Sequence, residues 1–302
     1  MSFTKKDKLI IIGAGKISSS LTPALIEAGY PVHSIISSTR KEAKELADKN
    51  KIKSYSNTLE SLDIERGVYI LAVPDDNISI LAEHISKLKI NFAKSLFIHL
   101  SGSQDISLLR SIEKKQGNTA SFHIMQTFPS KKRLDIKNSF SAIETLSIEA
   151  NDYLFKLAKG LKLKPFRLDS ENKVIYHLAG VYASNFLNAI LFQSQKLFEL
   201  LDLKEYSFYD VFSPILFSTI KNITETSPAI ALSGPVERGD IDTINKHIKE
   251  IRRISKKKPE LLFSYLSLSL LLVEASMVKH GKLTGDRPAL KELLRKELGK
   301  RQ

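Results

Sequence analysis

Lys8–Ser18 reads KLIIIGAGKIS. Four apolar residues, Leu9–Ile12, run into a glycine pair, Gly13 and Gly15, and the chain leaves through Ile17, Leu21 and Leu25 at helical spacing. A buried strand, a tight glycine turn and a helix N-terminus are the parts of a dinucleotide pyrophosphate site. Glycine lets the backbone turn sharply and approach a phosphate without a Cβ in the way. The helix start offers unpaired N–H groups and partial positive charge. The segment Gly13, Ala14, Gly15, Lys16 and Ile17 is therefore the candidate cofactor cradle. Ser18 stands where such turns usually have a third glycine or an alanine.

Working outward, strands alternate with helices: a helix to about Ala28 ended by Gly29, a strand at Pro31–Ile36, and a helix at Arg40–Lys49. A short strand follows near Ile52–Tyr55. GVYILAV (Gly67–Val73) is a continuous apolar run, as in a strand buried on both faces. Beyond it come a helix at Asp76–Leu88, a strand at Ser95–Leu100, a helix at Asp105–Lys115 and a strand at Ala120–Ile124. Further strands fall at Ser139–Ile143 and Lys164–Leu168, flanking a helix at Ala150–Leu161. This series predicts an α/β, doubly wound, mostly parallel sheet with ligands at the strand C-terminal ends. After Ser170 only helical periodicity remains: Glu171–Leu201, Ser207–Glu225 with Pro214 as a kink or break, Asp240–Ile254, Pro259–His280 and Pro288–Leu298. The expected domains are 1–169, a Rossmann dinucleotide-binding domain, and 170–302, an all-helical substrate and dimerisation domain.

The bulk composition bounds the class. The chain has 302 residues and is 42% hydrophobic, enough for two domains with real cores. It has no cysteine, which excludes disulfides, thiolate nucleophiles and cysteine metal sites; no metal site is assigned. MSFTKKDKLIII lacks a signal-peptide apolar core, and the apolar stretch Leu261–Val273 is shorter than the roughly 20 residues a bilayer needs. The expectation is a soluble, cytoplasmic protein with no membrane partner. The net charge is +13. Its lysines are scattered, without the aromatic interleaving of a nucleic-acid platform, apart from Arg252, Arg253, Lys256, Lys257 and Lys258 at a helix end. A solvated basic surface is expected, with no nucleic-acid partner.

Several polar residues carry candidate chemistry. Ser37, Ser38, Thr39 and Arg40 end the second strand, where an NAD site places an acid for the ribose hydroxyl. Hydroxyls and an arginine suit a 2′-phosphate instead, so NADP is expected over NAD. Val73, Pro74 and the two aspartates after them leave a buried strand on the cofactor side, with Asp76 as an alternative helix cap. Ser101 and Gly102 hold the equivalent place on the next strand. His123 closes a strand on the same edge and is a candidate general acid, while His99 reads as buried packing. His177, Ser184, Asn185 and Asn188 share one face of the long helix at α-helical spacing. They line either a substrate cleft or a structural network. Arg238, in a glycine-flanked loop, could hold an anionic substrate, with Asp240 capping the next helix.

GAGKIS, LAVPDDNI, HLSGS, FHIMQTF, YHLAGVYASNFLNAI and SGPVERGDIDTINKH together resemble the family that pairs a Rossmann-like domain with a C-terminal helical domain of unknown function (catalogue number 2520). More distantly, the arrangement is similar to 3-hydroxyisobutyrate dehydrogenase, pyrroline-5-carboxylate reductase and prephenate dehydrogenase. The resemblance implies nicotinamide cofactor use at Gly13 and Gly15. It also brings Val73, Pro74, Ser101 and Gly102 toward the nicotinamide, with an active site between the domains and frequent dimerisation. Hydroxyisobutyrate-type enzymes use a lysine and an asparagine one turn apart. Asn185 can stand for the asparagine, but Val181 occupies the lysine's place and Lys173 lies farther away. The expected function is an NADP-dependent oxidoreductase acting on a small anionic keto, hydroxy or imino acid. His177 or His123 would exchange a proton, Asn185 and Ser101 orient the reacting group, Ser184 and Asn188 face the substrate, and Arg238 holds its carboxylate. The alternative is a non-catalytic NADP-binding sensor or partner protein. Leu262, Leu266, Leu270 and Val273 suggest a homodimer face, although a monomer core has the same pattern.

Overall fold

The computed structural model describes residues 2–61, 66–255 and 259–300. Two compact units emerge, Met1–Leu187 and Asn188–Gln302. In the first, β1 (Leu9–Ile12), β2 (Val32–Ile36), β3 (Ser54–Ser56), β4 (Val68–Leu71), β5 (Leu96–His99), β6 (Asn118–Ile124), β7 (Phe140–Glu144) and β8 (Lys164–Arg167) form one sheet. Among the described residues it is eight-stranded, in the order β3-β2-β1-β4-β5-β6-β7-β8. All neighbouring pairs are parallel except β6 with β7. The order reverses between β1 and β4, and in such sheets the crevice beyond the strand ends at that point takes the ligand.

The helices of this unit are α1 (Lys16–Glu27), α2 (Arg40–Lys49), α3 (Asp75–Ile85), α4 (Arg110–Glu113), α5 (Ile148–Gly160) and α6 (Lys173–Gly180). Residues of β1 alternate between two cores. Leu9 and Ile11 join Leu21, Leu25 and Leu157 on one face, and Ile10 and Ile12 join Ile78, Ala82 and Ile112 on the other. Burial on both faces explains why β1 and β4 read as unbroken apolar runs. The helix expected at Asp105–Lys115 is instead a 3₁₀ turn, Ile106–Leu109, followed by the short α4. The Asp105 carboxylate accepts from the Ser107 amide and tightens the first turn.

The long helix expected at Glu171–Leu201 is α6, then a π-helical turn Val181–Phe186, then α7 (Leu187–Glu199). The π turn has more residues per turn than an α-helix. Offsets counted at 3.6 residues therefore do not carry across it, and His177, Ser184, Asn185 and Asn188 do not form the straight α-helical stripe expected.

The second unit contains α8 (Phe208–Glu225), α9 (Pro235–Arg238), α10 (Ile241–Ile254), α11 (Glu260–His280) and α12 (Arg287–Gly299). Ser207 and Asp210 form a capping box at α8, which runs on through Pro214 without a break. Asp240 caps α10 by accepting from the Thr243 amide. Leu262, Leu266 and Val273 are buried against Ile244, Ile248, Leu290 and Leu294, with Leu270 packed alongside. That stripe is therefore core of this unit rather than an open dimer face. The apolar stretch around it belongs to a helix of 21 residues, long and apolar enough to cross a membrane by length and composition, as is 170–199. The expectation that the stretch is too short thus fails on helix length. Of the basic cluster, Arg252 pairs with Glu297 and Arg253 with Glu250, while Lys256–Lys258 lie outside the described residues.

The two turn glycines have different jobs. Gly13 has φ +113°, and a Cβ there would sit 2.2 Å from the Ala72 carbonyl oxygen. A Cβ on Gly15 would meet nothing within 4 Å. Gly13→Ala should lower the free energy of unfolding by about 2 kcal/mol or more. Gly15→Ala should stay within about 1 kcal/mol. Urea melts of the two variants compare them directly.

Candidate functional site

The glycine turn is fixed from both sides. The Gly13 amide donates to Ile36 O at 2.7 Å, and Ala72 N donates to Ile12 O at 2.7 Å, tying the turn to β2 and β4. Ser18 is fully buried, and its hydroxyl donates to Gly13 O at 2.5 Å. The residue that departed from the glycine pattern thus bonds α1 back to the turn. Gly15 is the N-cap of α1; no side chain caps it and no acid stands in the first turn. The open space at Gly15 and the uncapped amides at the start of α1 suit an anionic pyrophosphate.

Two clefts adjoin this helix start. The larger, about 510 Å³, is lined by Gly13, Ala14, Gly15, Ser37, Ser38, Val73 and Pro74, among others. Thr39 caps α2 by accepting from the Glu42 amide, and the Arg40 guanidinium lies 5.4 Å from the Tyr55 ring centroid. The smaller cleft, about 190 Å³, is lined by Ile17 of α1, by Asp75, Ser101, Gly102 and His123, and by His177 of α6. Five residues singled out in the sequence thus meet there: Ile17, Ser101, Gly102, His123 and His177. Lys16 occupies the first turn of α1.

Ser101 is fully engaged within the protein. Its hydroxyl donates to Asp75 Oδ2 at 2.7 Å and accepts from the amides of Ser103 and Gln104 at 3.3 and 3.1 Å. Asp75 lies in the first turn of α3, which has no side-chain cap, and Asp76 beside it does not cap the helix. Gly102 gives His123 its room: a Cβ there would lie 2.7 Å from His123 Nε2. His123 Nδ1 is 2.9 Å from the Tyr176 hydroxyl, and the two rings meet edge to face. His99 is fully buried between the Ser101 amide, 3.3 Å from Nδ1, and Asp105 O, 3.2 Å from Nε2.

Below this pair lies a charged contact that the sequence did not signal. Lys173, 2% exposed, sends its ammonium to Ser121 Oγ and to Glu144 Oε2, the latter at 3.1 Å. Ser121 and Glu144 are cross-strand partners on β6 and β7. Glu144 also accepts from the Ser170 hydroxyl and, at 3.4 Å, from the Ile106 amide. Lys173 and Tyr176 stand three apart on α6 and bond to Ser121 and His123, two apart on β6. The helix is thereby registered on the strand at two points. Tyr176 could have been noticed beside His177 in the quoted YHLAG segment; the lysine–glutamate pairing had no local signal.

Burial first, and then the Lys173 charge, push both histidines down to about 4. Burial also lowers Lys173, against the pull of Glu144, and raises Tyr176 to about 12. His123 and Tyr176 are therefore both neutral near pH 7.

The other candidates line neither cleft. Asn185 and Asn188 are exposed. Arg238 ends α9 in the second unit, exposed and 4.0 Å from Asp240. Among the described residues no three His, Asp or Glu side chains converge as metal ligands.

The histidines give a pH signature. An unfolded histidine takes up its proton near pH 6.5, whereas His99 and His123 resist it until about pH 4. Stability should therefore fall as pH drops through that window, by about 2 kcal/mol at pH 5 for His99 and less for the more exposed His123. Urea midpoints between pH 7 and pH 5 should show this loss, with a flatter slope in His123→Gln.

Family comparison agrees with this architecture. Residues 4–123 match the Rossmann-like domain and residues 139–271 the domain of unknown function DUF2520. No curated protein matches the sequence. The fold is similar to that of a Bacteroides fragilis protein assigned as an NADP oxidoreductase, at 24% identity and TM-score 0.71 over 92% of this chain and 99% of that one. A Thermotoga maritima protein aligns at 26% identity and TM-score 0.69, over 90% and 99%. The Coxiella burnetii pyrroline-5-carboxylate reductase shares the fold at 16% identity and TM-score 0.54, over 91% and 96%. So does an Aspergillus terreus reductive aminase, solved with NADPH and ethyl-5-oxohexanoate, at 13% identity and TM-score 0.57 over 98% and 94%. The chain is built from a Rossmann-like domain joined to a DUF2520 domain.

Proposed function

We propose that the protein is a cytoplasmic, NADP-dependent oxidoreductase acting on a small anionic keto, hydroxy or imino acid. The observation that carries this reading is the neutral His123–Tyr176 pair in a cleft beside the uncapped helix start of the glycine turn. On the turn made by Gly13, the amides of Ala14, Gly15, Lys16 and Ile17 hold the dinucleotide's pyrophosphate, and the adenosine ribose with its 2′-phosphate lies beside the Ser37–Arg40 strand end. A bound nicotinamide dinucleotide supplies or accepts the hydride. The residues of the small cleft manage the proton. With Nε2 protonated, His123 donates toward a substrate oxygen or nitrogen while the Tyr176 hydroxyl donates to Nδ1. In the reductive direction the Nε2 proton passes to the substrate, the Tyr176 proton moves to Nδ1, and water reprotonates the phenolate. His177, on the exposed side of the cleft, exchanges protons with solvent. Ser101, saturated by Asp75 and two amides, orders the cleft wall.

The non-catalytic reading has one observation in its favour: Val181 stands one turn before Asn185, where a lysine would serve hydroxyisobutyrate-type chemistry. Turnover separates the two. Purified protein should oxidise NADPH in the presence of a member of a keto- and cyclic imino-acid panel. Tyr176→Phe should lower kcat by about 10²-fold with an unchanged NADPH Kd. NADPH binding without turnover across the panel would establish the sensor reading instead.

The same proposal includes a homodimer. Ile175, Leu178, Tyr182, Phe186, Ile190 and Phe192 are exposed along 173–199, more apolar surface than an isolated chain normally leaves in water. Sedimentation equilibrium should return twice the chain mass; a single-chain mass at micromolar concentration would contradict it.

A further inference from the structure

The segment 126–138, between β6 and β7, is strapped across α1 and α2. The Leu134 amide donates to the buried Ser20 hydroxyl of α1 at 2.9 Å. Arg133 pairs with Glu27 at the end of α1 at 2.6 Å. Lys131 pairs with Glu42 in the first turn of α2 at 2.6 Å. Gln126 and Phe128 of the strap line the small cleft, and its Lys131 pairs with Glu42, which lines the large one.

Glu42 changes the chemistry expected at the end of β2. The sequence places no acid there, only Ser37, Ser38, Thr39 and Arg40. In the structure Glu42 folds back over the start of its own helix. Its Oε2 accepts from Thr39 Oγ1 at 3.2 Å and from Ser37 Oγ at 3.4 Å. Two hydroxyls that could serve a phosphate are thus turned onto a carboxylate. A carboxylate at this place suits a ribose hydroxyl and repels a 2′-phosphate. Lys131, brought from the strap, is the cation that offsets it, and a flexible ammonium can exchange one oxyanion for another without moving the backbone.

We propose that Lys131 is the specificity-determining residue for the cofactor: its ammonium passes from Glu42 to the 2′-phosphate of an incoming dinucleotide. This proposal rests on the reading of the Gly13–Gly15 cleft as a nicotinamide dinucleotide site. Without Lys131, an uncompensated Glu42 faces the phosphate. NAD carries only a neutral 2′-hydroxyl at that position, which Glu42 can accept from, and gains nothing from the lysine's charge. Lys131 is half exposed, with a side-chain accessibility of 47%, so its replacement leaves the fold intact.

Fluorescence titrations with NADPH and NADH test this on the full chain, in the wild type, Lys131→Met, Lys131→Arg and the double variant Lys131→Met/Glu42→Gln. Lys131→Met should raise the NADPH Kd about tenfold and leave the NADH Kd within about twofold. Lys131→Arg should keep the wild-type ratio, and the double variant should recover much of the NADPH affinity. A Lys131→Met variant that weakens both cofactors equally, or neither, overturns the proposal while leaving the cofactor site standing. A wild type that binds neither dinucleotide removes the cofactor reading and this proposal with it.

Discussion

The small cleft depends on one buried ion pair, Lys173 with Glu144. Both groups have left water, and neither could stay charged there alone. Breaking such a pair by removing one partner costs about 3–5 kcal/mol, because the remaining charge is stranded. The pair also sets geometry. Glu144 ends β7, Ser121 lies opposite on β6, and Ser170 and Ile106 complete the shell of the carboxylate. Lys173 opens α6, so fixing its ammonium fixes the helix start, and with it the Tyr176 hydroxyl against His123. Burial, and after it the Lys173 charge, holds His99 and His123 in their neutral forms.

The glycine turn works differently. At Gly13 the constraint is internal: positive φ and the approach of the Ala72 carbonyl admit no side chain. At Gly15 the protein itself imposes nothing, and the space beside the uncapped helix remains open for a ligand. Ser18 shows how a motif position can be filled by another solution. A hydroxyl bonded to Gly13 O does with one hydrogen bond what a small residue does by close packing. The turn and the histidine cleft meet at Ile17, one residue before that serine.

What was legible in the sequence was local. The apolar runs of β1 and β4, the alternation with helices and the glycine turn depend on neighbours within a few residues, and their places agree with the structure. His123, Ser101, Gly102 and His177 could be named as candidates because they end strands or open the long helix. What stayed hidden depended on distant contacts. Lys173 and Ser121 are 52 apart in sequence, and Glu42 and Lys131 are 89 apart. Nothing in either neighbourhood announces the partner. The π turn at Val181–Phe186 was hidden for another reason: its residues are ordinary helix formers, so only the hydrogen-bond pattern distinguishes it. The stripe of Leu262, Leu266 and Val273 was legible as apolar, but whether it faced a core or a partner required the positions of α10 and α12.

The central claim is that a nicotinamide dinucleotide lies across the start of α1, with its reactive ring in the His123 cleft. A crystal structure of the protein with NADPH tests it directly. The pyrophosphate should lie on the amides of Ala14–Ile17 at the start of α1 and the nicotinamide among Ile17, Gly102, His123 and His177, with the adenosine end beside Ser37 and Ser38. A nicotinamide ring bound outside that cleft, away from His123, would contradict it.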